Sequence, residues 1–232
     1  MARTGGLVAV LSLIAYLTWR IGYTLPHGSW NRSVAYTLLA FEALPLVGLV
    51  FKLVTLWSID SPGPERRAGS TARNVTVLIP TYNEPVDVIA PTIAASCALA
   101  PVHETWVLDD GDRPWVADMC RALGARYVSR DEHEHAKAGN LNNALSLMEA
   151  EAATGGRRTE IIAVLDCDHV PLPTFLTATL DWFDDPEIAL VQGPQAFYNA
   201  GAFDDDGYTG EQGLFFNVLM PARQHAGVGP FW

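Results

Sequence analysis

Two aspartates, Asp166 and Asp168, directly follow the apolar run 161–165 and are well suited to metal chemistry. An Asp-x-Asp pair alone is a weak signal, because carboxylates at a strand end often only cap a helix or lie in a solvated turn. Carboxylates crowded at one place repel each other unless a cation offsets their charge. Oxygen ligands favour Mg²⁺ or Mn²⁺, and such a metal can in turn hold the phosphates of a nucleotide.

Polar residues also follow two earlier apolar runs of the chain. Tyr82 and Glu84 come after the first run, and Asp109 and Asp110 come after the second. Ligands of open parallel sheets bind beyond the carboxyl ends of the strands. The three clusters therefore predict a single site that combines a metal with a nucleotide.

A lysine stands in the segment H-E-H-A-K-A-G-N, residues 133–140, where a helical pattern begins. This residue, Lys137, can bring charge to a phosphate, while the backbone N–H groups of the helix start add donors. For His133 and His135 the favoured interpretation is a solvated pair in a loop, with a metal site as the alternative.

Two other classes of protein also place functional residues after a strand. A dinucleotide-binding Rossmann domain needs a glycine fingerprint after its first strand, whereas P-T-Y-N occupies residues 80–83. A phosphatase of the haloacid type also has an aspartate pair after a strand. Its second aspartate is usually followed by Thr and Val, whereas His169, Val170 and Pro171 follow here.

The elements that position these residues alternate along the chain. Short apolar runs predict strands, and longer segments with helix boundary signals, such as Gly124 after the second of them, predict helices. Alternation of this kind predicts an α/β fold with a mostly parallel sheet covered on both faces. The predicted strands are 75–79, 105–108, 126–128, 161–165 and 188–192, and the predicted helices are 86–99, 114–123, 136–153, 173–183 and 211–226.

The first part of the chain contains two apolar stretches, 7–19 and 34–57. The second is long enough for a helix that crosses a bilayer, so residues 1–57 predict a transmembrane hairpin. A cleaved signal peptide is the alternative for the first stretch, but a second apolar segment follows immediately. Glu42 is a costly charge in a membrane, and we expect it to face another helix or an aqueous cavity.

Residues 58–74 are predicted to be a linker, and residues 75–232 a single domain. The linker contains the breaker cluster S-P-G-P and three arginines, Arg66, Arg67 and Arg73. Arginines next to a membrane segment favour the cytoplasmic side and can rest on anionic lipid headgroups. The sequence therefore predicts a multi-pass protein of the inner or plasma membrane with a cytoplasmic catalytic domain.

The composition excludes some classes of protein. The chain has 232 residues, a net charge of −11 and a mean hydropathy of +0.13, which argues against disorder and against a nucleic-acid partner. Residues 1–73 carry a net charge of +4 and the remaining residues −15. The three cysteines, Cys97, Cys120 and Cys167, are far apart, so we expect buried free thiols in a reducing compartment.

The ordered motifs P-T-Y-N-E-P, L-D-D-G, H-A-K-A-G-N, D-C-D-H-V-P and V-Q-G-P-Q together resemble those of the processive family-two glycosyltransferases. The resemblance is to the catalytic subunits of bacterial cellulose synthases and covers about residues 75–232. It implies a GT-A-type domain that binds a UDP-sugar with Mg²⁺ or Mn²⁺, uses a polysaccharide acceptor, and works by inversion. Accessory subunits are further candidate partners.

The resemblance also implies roles for individual residues. For the nucleotide-sugar site these residues are Tyr82, Glu84, Asp109, Asp110, Lys137, Asp166 and Asp168, with Asp166 and Asp168 as the metal ligands. For the acceptor they are Gln192, Phe197, Phe231 and Trp232.

The chain departs from the family pattern in its catalytic carboxylate. The Thr-Glu-Asp and Gln-x-x-Arg-Trp motifs of the family have no match before Trp232. We therefore expect an N-terminal fragment that holds the donor-binding half, with the general base beyond Trp232. The alternatives are a transferase of the hyaluronan, chitin or dolichol-phosphate-sugar type and a non-catalytic membrane fragment that binds a nucleotide.

Overall fold

The computed structural model describes residues 2–26, 29–58, 73–196, 213 and 215–225. The chain divides into two compact units, one formed by Arg66–Gly193 and the other by Met1–Glu65 with Pro194–Trp232.

The unit that includes the start of the chain contains two long apolar helices, α1 (Ala2–Trp19) and α2 (Ser29–Thr55). A π-helical turn continues α1, and the segments Arg3–Thr24 and Asn31–Thr55 are long and apolar enough to cross a membrane. Gly6 lets the two helices approach closely, because a Cβ atom there would lie 2.5 Å from Cδ1 of Leu53. These features agree with the predicted hairpin in length and composition.

Glu42 of α2 faces the chain that continues α1, as the sequence predicted. Its Oε2 accepts a hydrogen bond of 3.0 Å from Nε of Arg20, and Nη1 of Arg20 donates to Oγ1 of Thr24 over 2.7 Å. A charge that would be costly alone in an apolar medium is thereby paired. The same unit contains a π-helical turn at Phe215–Leu219 and the short helix α7 (Met220–His225), which lie within the helix predicted over 211–226.

The unit Arg66–Gly193 is built on a parallel four-stranded sheet, as predicted. Its strands are β1 (Val75–Thr81), β2 (Glu104–Asp109), β3 (Arg126–Val128) and β4 (Ile161–Val164), in the order β3-β2-β1-β4. All three pairings are parallel, so the carboxyl ends of the strands share one edge.

Helices cover both faces of this sheet. Val77 and Ile79 pack on one face with residues of α3 (Val86–Cys97) and α4 (Pro114–Leu123), whereas Leu78 and Trp106 pack on the other with α5 (Ala136–Ala153). Gly124 ends α4 with φ of 82°, which is the left-handed conformation expected for a C-cap glycine.

The strand predicted over 188–192 is wrong, because this segment has no regular secondary structure. A short apolar run becomes a strand only when a neighbouring backbone pairs with it, and within the described residues none pairs with this one. Pro186 and Pro194, on either side, also lack the N–H donor that a ladder needs. The helix predicted over 173–183 is shorter than expected: α6 covers Phe175–Thr179, and a 3₁₀ turn follows at Leu180–Asp184.

Candidate functional site

A cleft of 980 Å³ opens beyond the carboxyl ends of β1, β2 and β4, where the start of α5 also contributes. This is the edge of the sheet at which the sequence predicted a site. The cleft brings together six of the predicted donor-site residues: Tyr82, Glu84, Asp110, Lys137, Asp166 and Asp168.

Asp109 lies behind this cleft and is completely buried. Its carboxylate accepts hydrogen bonds from the backbone N–H of Gly111 (2.9 Å), the backbone N–H of Arg113 (2.8 Å) and the hydroxyl of Tyr127 (3.1 Å). Burial, together with the negative charge of Asp109, raises the pKa of Tyr127 to about 12, so this phenol stays a donor. Asp109 thus orders the turn after β2, and its predicted contact with a nucleotide stays a prediction.

Arg113, which the sequence did not single out, ties the end of β2 to the end of β1. Its Nε donates to Asp109 over 3.0 Å, and Nη1 and Nη2 donate to the carbonyl of Glu84 and to Oγ1 of Thr81, both over 2.7 Å. The rigid fork of donors on a guanidinium suits such a junction. An arginine directly after D-D-G-D was the available signal in the sequence.

Glu84 is held as a carboxylate at the floor of the cleft. Its Oε2 accepts hydrogen bonds from Oγ1 of Thr81 (2.6 Å) and from the backbone N–H of Tyr82 (2.9 Å). Burial is the largest single influence and acts to raise the pKa of Glu84, but these hydrogen bonds, with weaker ones that include Cys167, together lower it below 4.5. Glu84 therefore brings a fixed negative charge.

Tyr82 presents its ring to the cleft and is 60% exposed. Its carbonyl oxygen lies so close to Gly111 that a Cβ atom there would stand 2.1 Å away. Only glycine fits this approach between the ends of β1 and β2. An exposed ring beside a cleft is a surface on which a planar base can stack.

Asp110 pairs with Arg130, a second arginine that the sequence did not indicate. Both oxygens of the buried Asp110 accept from this guanidinium, from Nε over 2.6 Å and from Nη2 over 2.8 Å. His133 borders the same cleft with its Nδ1 atom 3.7 Å from Asp110, and His135 is exposed. Neither histidine joins a metal-ligating cluster among the described residues.

The turn before α5 has an unusual backbone. His135 and Ala136 have φ values of 62° and 44°, and a non-glycine residue in this region costs about 1–3 kcal/mol. No side chain caps the start of α5, so its first backbone N–H groups keep their capacity to bind an anion. This is the property predicted from H-A-K-A-G-N.

Three side chains form a candidate metal site at the end of β4. Ligand atoms of Asp166, Asp168 and His169 all lie within 4.8 Å of one another. The ring nitrogens of His169 stand 3.7 Å from Asp166 and 3.8 Å from Asp168. Two carboxylates and an imidazole fit Mn²⁺ well and Mg²⁺ acceptably. The sequence predicted the two aspartates but missed His169, although it follows the pair directly.

The predicted acceptor residues are not part of this cleft as described. Gln192 lies exposed in the irregular segment after the last helix of the unit and does not border the cleft. Phe197, Phe231 and Trp232 fall outside the described residues.

A comparison with known protein families shows the family to which this chain belongs. The sequence profile of Glycosyl transferase family 2 matches residues 76–225. The chain belongs to this family. The predicted GT-A-type architecture of this family-2 chain is supported by a solved structure, the mannosyltransferase PcManGT from Pyrobaculum calidifontis in complex with GDP-Man and Mn²⁺. It matches with a TM-score of 0.51 and 21% identity over 64% of this chain and 43% of that chain, which shows a shared fold.

Curated relatives of this family-2 chain are cellulose synthase catalytic subunits. It is 37% identical to the UDP-forming subunit of Pseudomonas fluorescens in an alignment of 210 positions, which covers 85% of this chain and 27% of the relative. It is 33% identical to the subunit of cellulose synthase 1 of Komagataeibacter xylinus in an alignment of 233 positions, which covers 94% of this chain and 30% of the relative. The chain therefore spans less than a third of either relative.

Proposed function

We propose that this chain carries the donor-binding part of a membrane-bound, metal-dependent transferase. It takes a sugar from a UDP-sugar, UDP-glucose by preference, and passes it with inversion to a growing β-glucan. The observation that carries the proposal is that Tyr82, Lys137 and Asp166 border one cleft. The names of the relatives, UDP-forming cellulose synthase subunits, support the choice of donor.

Each part of the cleft suits one part of a nucleotide-sugar. Tyr82 offers a face for the base, and Lys137 with the uncapped start of α5 offers charge and N–H donors for the diphosphate. Asp166, Asp168 and His169 would hold Mg²⁺ or Mn²⁺, which supplies charge stabilisation to the leaving diphosphate when it is bound. Glu84 and Asp110 also border this cleft. Glu84 has a lowered pKa, and Asp110 is buried.

Inverting transfer also needs a general base beside the hydroxyl of the acceptor. We assign none among the described residues. We further propose that Gln192, Phe197, Phe231 and Trp232 contact the acceptor.

The location that we propose is the inner or plasma membrane, with lipid around α1 and α2. Both helices have the length and composition of membrane spans. Arg66, Arg67 and Arg73 support a cytoplasmic location of the transferase unit, because basic residues beside a membrane span tend to stay on that side.

Titration calorimetry of the full chain in detergent tests the proposal, with UDP as the probe in the presence and absence of Mn²⁺. We expect UDP to bind and Mn²⁺ to strengthen binding, and Asp168→Ala to remove only the part that depends on the metal. Asp118→Ala, which changes an exposed acid of α4, is the matched control. Absence of UDP binding would refute the function, and a metal effect that survives in Asp168→Ala would refute the metal site.

The identity of the sugar requires a separate experiment. Competition of UDP-glucose and UDP-N-acetylglucosamine against bound UDP distinguishes a glucan synthase from the hyaluronan or chitin type. We expect UDP-glucose to compete more strongly, and the opposite order would favour the alternative.

A further inference from the structure

The guanidinium of Arg130 gathers four hydrogen-bond acceptors at the edge of the proposed donor site. Two are the oxygens of Asp110, at the end of β2. The others are the carbonyl oxygens of Glu134, 2.9 Å from Nη1, and of Ala136, 3.0 Å from Nη2. The Arg130 side chain is only 10% exposed, and its two bonds to Asp110 are partly buried, whereas the two bonds to the carbonyl groups are exposed.

The two carbonyl groups belong to the strained turn that begins α5. Glu134 and Ala136 flank His135, and both His135 and Ala136 have positive φ. Such a conformation persists only where surrounding contacts hold it. Arg130 supplies contacts of this kind on both sides of the turn.

Gly139 provides the space for this arrangement. A Cβ atom at this position would stand 2.1 Å from the carbonyl oxygen of Glu134 and 2.6 Å from Nη1 of Arg130. The glycine of H-A-K-A-G-N thus permits the first turn of α5 to lie against the guanidinium and the carbonyl that it binds.

We propose that Arg130 is a positioning residue for the donor site, which acts through Lys137. It holds the turn 134–136 against Asp110, and this turn fixes the direction in which α5 starts and the place where Lys137 stands. The inference rests on the proposed function, because it gives Arg130 a role in UDP binding without direct contact with UDP. Arg130 lies outside the set of residues that border the cleft.

A double-mutant cycle in the full chain in detergent tests this role, with UDP affinity measured by calorimetry. Arg130→Lys keeps the charge but cannot reach four acceptors at once, and we expect UDP affinity to fall roughly tenfold or more. In the background of Lys137→Ala, Arg130→Lys should lower UDP affinity by less than about twofold. The effects of two substitutions are not additive when both residues act through the same contact. Affinity for Mn²⁺ without nucleotide should not fall, since the metal ligands are on the β4 side.

Arg121→Lys is the matched control, because Arg121 is exposed on α4 and pairs with the exposed Asp118. It should leave UDP affinity within about twofold of the wild type. Unchanged affinity in Arg130→Lys overturns the inference, and so does an equal loss with and without Lys137. If Arg130→Lys does not fold, Gly139→Ala carries the test: it displaces the same carbonyl, and unchanged UDP affinity in it overturns the inference. Wild-type protein that fails to bind UDP would instead refute the proposed function.

Discussion

The ammonium group of Lys137, in the first turn of α5, contacts the carboxylate of Asp166 at the end of β4. About half of each side chain is exposed, so the pair lies at the mouth of the cleft. Asp166 is also a member of the candidate metal site. A divalent cation at that site would therefore compete with Lys137 for one carboxylate, and its binding would free the ammonium for an anion nearby.

Replacement of Lys137 by Met should affect the metal and the nucleotide in opposite directions. Without the competing ammonium, affinity for Mn²⁺ alone should rise, by about twofold to fivefold for a pair this exposed. Affinity for UDP should fall, because a positive charge beside the diphosphate is lost. Electron paramagnetic resonance of free Mn²⁺ measures the first effect and calorimetry the second. A variant that loses affinity for both would show that Lys137 supports the metal site and does not compete with it.

His169→Gln tests the ligand that the sequence did not predict. Loss of the imidazole leaves two carboxylates, and we expect affinity for Mn²⁺ to fall about tenfold or more. UDP binding without metal should not change, which serves as the internal control. If Mn²⁺ binds the variant as tightly as the wild type, the site consists of Asp166 and Asp168 alone.

Asp109→Asn should strongly destabilise the fold. The change removes the charge that accepts from Arg113 and Tyr127 and leaves the guanidinium of Arg113, which is 14% exposed, without its anionic partner, which costs about 3–5 kcal/mol of the free energy of unfolding. Chemical unfolding in detergent, followed by tryptophan fluorescence, measures it because Trp106 is buried in the sheet. Asp118→Asn, at an exposed ion pair, should change stability by less than about 0.5 kcal/mol. Similar losses in the two variants would contradict the structural role of Asp109.

Glu84 should contribute to the dependence of stability on pH. Its pKa in the folded protein is lower than the ordinary value of 4.5, so its contribution is present above that value and is lost as the pH falls through the lowered pKa. Glu84→Gln should therefore flatten the acid limb of the stability curve below about pH 4.5. Glu149→Gln, at an exposed position of α5, is the matched control. An acid limb as steep as that of the wild type would contradict the hydrogen-bonded carboxylate.

The sequence predicted those parts of the site that depend on local pattern. The apolar runs before Tyr82, Asp110 and Asp166 become parallel strands, so their polar ends converge by geometry alone. The boundaries of α4 and α5 also follow from local signals, of which Gly124 is an example.

What the sequence could not predict depends on partners that are distant along the chain. Nothing local distinguishes Asp109, which is buried behind the cleft, from Asp110, which borders it. Arg113 and Arg130 owe their roles to the three-dimensional positions of Glu84 and Asp110, which strand and helix patterns do not contain.

The order of strands in the sheet also predicts the order in which the parts of the site fold. β1, β2 and β3 neighbour each other in chain order, whereas β4 must return past β3 and β2 to pair with β1. Contacts between distant segments form late, because the intervening loop must first be closed. As the chain leaves the ribosome, we therefore expect the nucleoside side of the cleft to fold first and the strand that carries Asp166 and Asp168 to dock last. Competence to bind metal would then mark the completion of folding in this unit.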